Sequence, residues 1–185
     1  MTVEEAYEIL RDGSPLTPGK FYQSANHLSL GVGKLYDGIR YPLLNLEDFV
    51  FDTLEGLVLI LTHECDVDQE NIRPFNDHLL VCPIIQLDDF IAEYSDRVGE
   101  DKLPSFLSNV ASRNVSRVMY FPPLPSCLEY GGLIYLNQIC SSHVAAFTKE
   151  VVKSVGAVSV YGLMQFDKHL SNHLLRPKAE LLADF

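Results

Sequence analysis

LVLILTHECDVDQENIRPFNDHLLVCPII, residues 57–85, holds two apolar runs separated by a polar stretch. Leu57–Thr62 and Asp77–Ile85 are continuously apolar over strand length, the pattern of central strands buried on both faces. The connection over 63–76 is too long for a tight hairpin turn, and long loops on a rigid scaffold are where sites are built. It opens with His63-Glu64-Cys65-Asp66, four residues in a row that could bind a metal or move a proton.

The flanking sequence supplies further short elements. Thr2 and Glu5 form a T-x-x-E capping box, and Val3, Ala6, Tyr7 and Leu10 keep helical spacing, predicting a helix over 3–11. Residues 20–55 read as short β pieces (KFYQSA, HLSLGVGKLY, IRYPLL, LEDFVFD) punctuated by Gly31, Gly33, Gly38 and Pro42. Gly31-Val32-Gly33-Lys34 is no phosphate loop, because the G-x-x-x-x-G-K-[ST] pattern and its strand-to-helix setting are both missing. Leu87, Phe90, Ile91, Tyr94 and Val98 predict a helix ended by Gly99, and a second helix follows near 104–112. Strands are expected at Arg117–Phe121, at 131–137 (GGLIYLN) and at 143–147 (HVAAF), with Pro122-Pro123-Leu124-Pro125 as a rigid connector. Ser159 caps a last helix over about 159–176, whose buried stripe is read as Val160, Leu163, Phe166, Leu170 and Leu174.

These elements predict one α+β domain over 1–185. Its core, about 20–150, is a strongly bent antiparallel sheet or a partly open SH3-like barrel with flanking helices. A chain of 185 residues with 47% hydrophobic and 21% charged residues suits such a core and excludes general disorder. The N-terminal residues lack the basic and apolar regions of a signal peptide, and no apolar run has membrane-spanning length, so a cytoplasmic location is expected. Cys65, Cys82, Cys127 and Cys140 show no C-x-x-C pair and read as free thiols, with Cys82 in the core.

Net charge is −11 and uneven, with −14 over residues 1–101 and +3 over 102–185. An acidic front half argues against general nucleic-acid affinity and favours a protein partner or small ligand.

The chemistry at 63–78 has two readings besides a polar turn. A Cys65 nucleophile, activated by His63 or His78, needs a low thiol pKa, yet Glu64, Asp66, Asp68 and Glu70 crowd it with negative charge. A divalent metal such as zinc removes that conflict, with His63, Cys65, Asp66, Asp68 and His78 as candidate ligands and Glu64 as general base. In the catalytic version Glu64, Cys65 and Asp66 form the reacting group. An EF-hand is excluded, because Asn71 and Asp77 stand where its glycine and terminal glutamate belong. Arg73, Arg113, Arg117 and Tyr120 are candidate ligand contacts. His169 and His173, one turn apart, border the apolar stripe of the last helix and read as a helix-edge pair.

Leu59–Val67 (LILTHECDV) resembles a pattern in poorly characterised bacterial and phage-borne proteins: an apolar strand, roughly S-Q-x-C-D-I, then a second apolar strand. Those proteins carry a later aromatic-Leu-Pro-Pro segment, which Tyr120-Phe121-Pro122-Pro123 resembles. Cys65 and Asp66 match, whereas Thr62 and His63 replace the usual Ser and Gln; the resemblance spans 56–147. Arg73-Pro74 before an apolar strand is similar to the PemK/MazF barrels, without their glycine-acid-glutamine context, and bears on fold only. The expectation is a binding or regulatory protein with a ligand or metal site at the 63–78 loop. The competing expectation is a metal-dependent hydrolase acting on a nucleotide or nucleic acid.

Overall fold

The computed structural model describes residues 1–23, 30–44, 50–67, 77–149 and 151–175. Its elements run α1 (Val3–Gly13), α2 (Pro18–Phe21), β1 (Tyr22–Gln23), β2 (Lys34–Leu44), β3 (Phe51–Ile60), α3 (Glu64–Val67), β4 (His78–Gln86), α4 (Leu87–Val98) and α5 (Leu103–Ala111). There follow β5 (Val118–Phe121), β6 (Gly132–Tyr135), β7 (Cys140–His143), β8 (Lys153–Val158) and α6 (Val160–Leu175), with 3₁₀ turns at Leu136–Gln138 and Val144–Thr148. The fold is α+β, built on an eight-stranded antiparallel sheet that does not close into a barrel.

The two apolar runs of the opening stretch pair as read, with Val58 opposite Pro83, Leu59 opposite Cys82 and Ile60 opposite Val81. β4 is the pivot of the sheet. Its first half pairs with β7 (His78 opposite His143, Val81 opposite Cys140), and its second half pairs with β6 (Ile84 opposite Ile134). The 3₁₀ turn at Leu136–Gln138 is inserted between β6 and β7 along that edge, shifting the register and dividing the sheet into two ladders that share β4. Pro83 has no N–H to extend the ladder to β3, and pairing between β3 and β4 stops there.

Side-chain alternation then sorts the core. On one face Leu57, Leu59, Cys82, Ile84, Phe121 and Ile134 pack under Phe21 of α2 and Phe166 of α6. On the other, Val58, Ile60, Leu79 and Val81 meet Tyr36 and Phe147 at the β2–β4 end. At the β5–β6 end Val118, Tyr120 and Leu133 pack with α1, α4 and α5. α1 keeps its capping box: the Thr2 amide donates to Glu5 Oε2 at 2.8 Å, and the Glu5 amide donates to Thr2 Oγ1 at 3.3 Å.

Three readings need correction. HVAAF is no strand: β7 ends at His143, whose Nδ1 accepts the Ala145 amide at 3.1 Å and turns the chain into the 3₁₀ segment. β8, which sequence periodicity did not reveal, lies between β1 and β2. On α6, Phe166 is buried and Leu163 and Leu170 pack partly buried on the core as read, but Gly162 and His169 join the inward face, and Val160 and Leu174 are 71% and 68% exposed. No helix among the described residues is long and apolar enough to cross a membrane.

His169 has a measurable consequence. It is buried, with Nε2 2.9 Å from the Val118 carbonyl, and burial holds its imidazole below the ordinary value of 6.5, with the Arg113 charge acting in the same direction. A lowered folded-state value means the unfolded chain takes the proton first. Stability is therefore full above about pH 6.5 and falls, by up to about 1.4 kcal/mol per pH unit, as pH drops toward the folded value. Urea unfolding at about pH 7.5 and about pH 5 checks this: wild type loses stability on acidification, and His169→Gln loses measurably less. Equal losses in both proteins would remove His169 as the cause.

Candidate metal centre and groove

β3 ends at Ile60, and the chain beyond it does not run on in extended form. The Leu61 amide still donates to the Leu80 carbonyl at 2.9 Å, but the Leu80 amide turns to the Thr62 side-chain oxygen at 2.7 Å. The threonine hydroxyl takes the place of the next backbone acceptor, and the chain is free to turn. His63 then accepts the Cys65 amide on Nδ1 at 3.2 Å, and the Asp66 amide donates to the His63 carbonyl at 3.0 Å. A histidine here performs the local capping more often done by Asn or Asp, and starts the helical turn α3. The alternation that would place His63 with Cys65 and Glu64 with Asp66 on opposite faces does not extend into this turn.

His63, Glu64, Cys65 and Asp66 are all exposed, and His63 Nε2 lies 3.7 Å from Glu64 Oε2. Asp68 and Arg73 fall outside the described residues. His78 is held elsewhere, at the start of β4. Among the described residues, the donor set whose ligand atoms lie within 4.8 Å of one another is Asp77, His78 and His143. His143 Nε2 is 3.5 Å from Asp77 Oδ2, and His78 Nε2 is 4.0 Å from Asp77 Oδ1. The two rings meet edge to face with centroids 5.2 Å apart. Ligand atoms on a tetrahedral zinc with bonds of about 2.0–2.1 Å stand about 3.3 Å apart, so small rotamer changes would close this set on an ion.

The two histidines differ in their outer contacts. His78 Nδ1 lies 3.3 Å from the Ser141 hydroxyl, which can accept its proton and leave Nε2 free to coordinate. His143 Nδ1 already accepts the Ala145 amide, so its neutral ring carries the proton on Nε2, toward Asp77. Coordination through His143 Nε2 requires the other tautomer and the loss of that cap.

Arg113 stands at φ 62° in the turn after α5 and donates from Nη1 to Gln165 Oε1 at 2.7 Å; Arg117 is exposed. Tyr120 faces the core, with its hydroxyl buried and without a hydrogen-bond partner among the described residues, and burial pushes its phenol well up. His169 and His173 have separate partners, His173 Nε2 lying 2.7 Å from Asn137 Oδ1. Cys82, Cys127 and Cys140 are free thiols. Burial pushes the thiols of Cys82, Cys127 and Cys140 up, which leaves those three poor nucleophiles.

A groove of about 480 Å³ lies away from the histidines. Leu54–Leu57 of β3 and Ile84–Gln86 of β4 form its walls where the strands part after Pro83. Asp89, Glu93 and Tyr94 of α4 border it, and Tyr41 of β2 reaches in beside them.

Sequence reasoning missed Asp77 and His143 as members of a site. His143 sits beside His78 only through the β4–β7 register, which no local motif encodes. The groove residues are spread over three elements and carry no motif. Comparison with protein-family models, curated proteins and solved structures finds no match for this chain.

Proposed function

We propose that this chain is a binding protein of regulatory type, whose ion site is Asp77, His78 and His143, where the 63–78 loop rejoins the sheet. The observation that carries this reading is the convergence of one carboxylate and two imidazoles within 4.8 Å on two paired strands. A mixed N and O donor set suits zinc or a similar transition ion. Among the described residues the three side chains are exposed, and the groove is lined by others.

A regulatory consequence follows from the tautomer of His143. Metal at Nε2 places a proton on Nδ1, which then opposes the Ala145 N–H. The 3₁₀ turn Val144–Thr148 loses its cap, and that turn carries Phe147, packed edge to face on Tyr36 of β2 at 5.3 Å. Ion binding would thus loosen one edge of the core.

Equilibrium dialysis of the metal-stripped full chain against zinc provides the test. Wild type takes up one equivalent, and His78→Ala and His143→Ala each weaken uptake by at least about tenfold. Cys65→Ala and Asp66→Ala leave it unchanged. No stoichiometric uptake by wild type, or equal loss in Cys65→Ala, would sink the assignment.

A further inference from the structure

We infer that the groove between β3, β4 and α4 takes an extended, basic segment of a partner protein by strand addition to the open edge of β3. The argument begins with the backbone. Over Val58–Ile60 the β3 edge is covered by β4, but from Leu57 toward Phe51 no described strand pairs with it on that side. Beyond Pro83, β4 pairs with β6 instead, and the Leu87 amide donates to Gly131. The two strands diverge and leave a wedge between them, roofed by α4.

An exposed strand edge is a template for another chain, and soluble proteins blunt such edges unless they are used. From Gly56 to Phe51 this edge carries no proline or lysine, and the β-bulge of the β2–β3 pairing lies beyond that stretch, opposite Leu57. Pairing of β3 with β2 is regular from Gly56 to Phe51, and the exposed residues here include Phe51 at 67% and Leu54 at 40%. The segment is long enough to accept several residues of an added strand.

The sign of the occupant comes from the lining. Among the described residues it carries Glu55, Asp89 and Glu93 and no lysine or arginine. Glu55 is shared with Arg40 at 3.1 Å, leaving Asp89 and Glu93 on the α4 side as the stronger attraction. Burial and the neighbouring Asp88 push the Asp89 carboxyl up, the condition of a carboxylate that gains from a nearby cation. Tyr41 offers a ring for the stem and head of a Lys or Arg, whereas the Tyr94 ring is already stacked on Phe90 and Tyr135 and carries Arg97 over it at 5.3 Å. A second copy pairing edge to edge is disfavoured as occupant, because its β3 brings Asp52 and Glu55 and would set like charges together. A basic β-forming segment answers the backbone and the charge together, with Tyr41 at its side.

The test uses the intact chain and a fluorescein-labelled (Lys-Val)₅ peptide as probe. Polarisation titration is expected to saturate below about 1 mM, and hydrogen exchange of the amides over 54–57 to slow when the peptide is bound. Three changes each weaken binding by about tenfold or more: the Asp89→Lys/Glu93→Lys pair, N-methylation of alternate peptide amides, and exchange of the probe for (Glu-Val)₅. The first change is on exposed helix positions, and thermal unfolding verifies that the variant folds. N-methylated peptide binding as well as the parent would show attraction without strand addition and overturn the proposal. So would no saturation by the parent, or exchange protection elsewhere. None of these residues belongs to the ion site, so each reading stands or fails alone.

Discussion

Phe121→Ala lowers the unfolding free energy by about 3–5 kcal/mol, the range for removing a fully buried phenylalanine. Phe121 is completely buried at the end of β5, and its ring lies edge to face with Phe21 at 4.8 Å and with Phe166 at 6.4 Å. Those partners belong to α2 and α6, so one ring ties the sheet to both helices on that face. The site cannot collapse easily, because the backbone around it is already close-packed. A β-carbon on Gly131, which has φ 86°, would stand 2.5 Å from the Phe121 carbonyl oxygen. Phe51→Ala is the matched control, being 67% exposed on β3, and its expected change is within about 0.5 kcal/mol. Urea unfolding of both variants with an unchanged m value measures the difference. A loss below about 1 kcal/mol for Phe121→Ala would mean that this face is not the principal core.

The parts of the fold that were legible in the sequence are those set by local chemistry. The capping box of α1, the apolar runs that became β3 and β4, and the glycine after α4 each act within a few residues. The failures share a different cause. The apolar spacing of α6 finds Leu163, Phe166 and Leu170, whereas its inward face also includes a glycine placed for close approach and a histidine satisfied by the Val118 carbonyl. Neither residue registers as apolar, so the spacing extends the stripe to the exposed Val160 and Leu174 instead. β8 escaped because Gly156 and two serines border its short apolar run. That glycine is needed where a β-carbon would stand 2.9 Å from Leu124 Cδ2. HVAAF has strand-forming composition, but His143 bonds forward to Ala145 and breaks the extension. For the candidate site, THECD marked a real local event, a turn capped by its own histidine. Its partner set depended on which distant strand lies beside His78, and register is a property of the sheet.

Gly162→Ala should destabilise the protein, although in an isolated helix the same change is favourable by about 0.5–1 kcal/mol. Gly162 lies in the first turn of α6 and is buried against α2. A β-carbon there would stand 2.5 Å from the Phe21 carbonyl oxygen and 3.2 Å from the Phe21 ring, and would also meet Val158. The helix cannot slide to make room. The Ser159 amide donates to that same Phe21 carbonyl at 2.8 Å, the Ser159 hydroxyl donates to the Lys20 carbonyl, and the Gly162 amide donates to Ser159 Oγ at 3.0 Å. Shifting α6 outward would break these bonds and withdraw Phe166 from Phe121. Overpacking of this kind costs about 1–3 kcal/mol and outweighs the gain in helix propensity. Gly19→Ala in α2 separates sterics from propensity, because a β-carbon there meets nothing within 4 Å, and it should be neutral or slightly stabilising. Thermal and urea unfolding of the two variants side by side check the argument. If Gly162→Ala were as stable as wild type, α6 would not be seated against α2 as described, and Phe166, His169 and the acid sensitivity assigned to that histidine would lose their structural basis together.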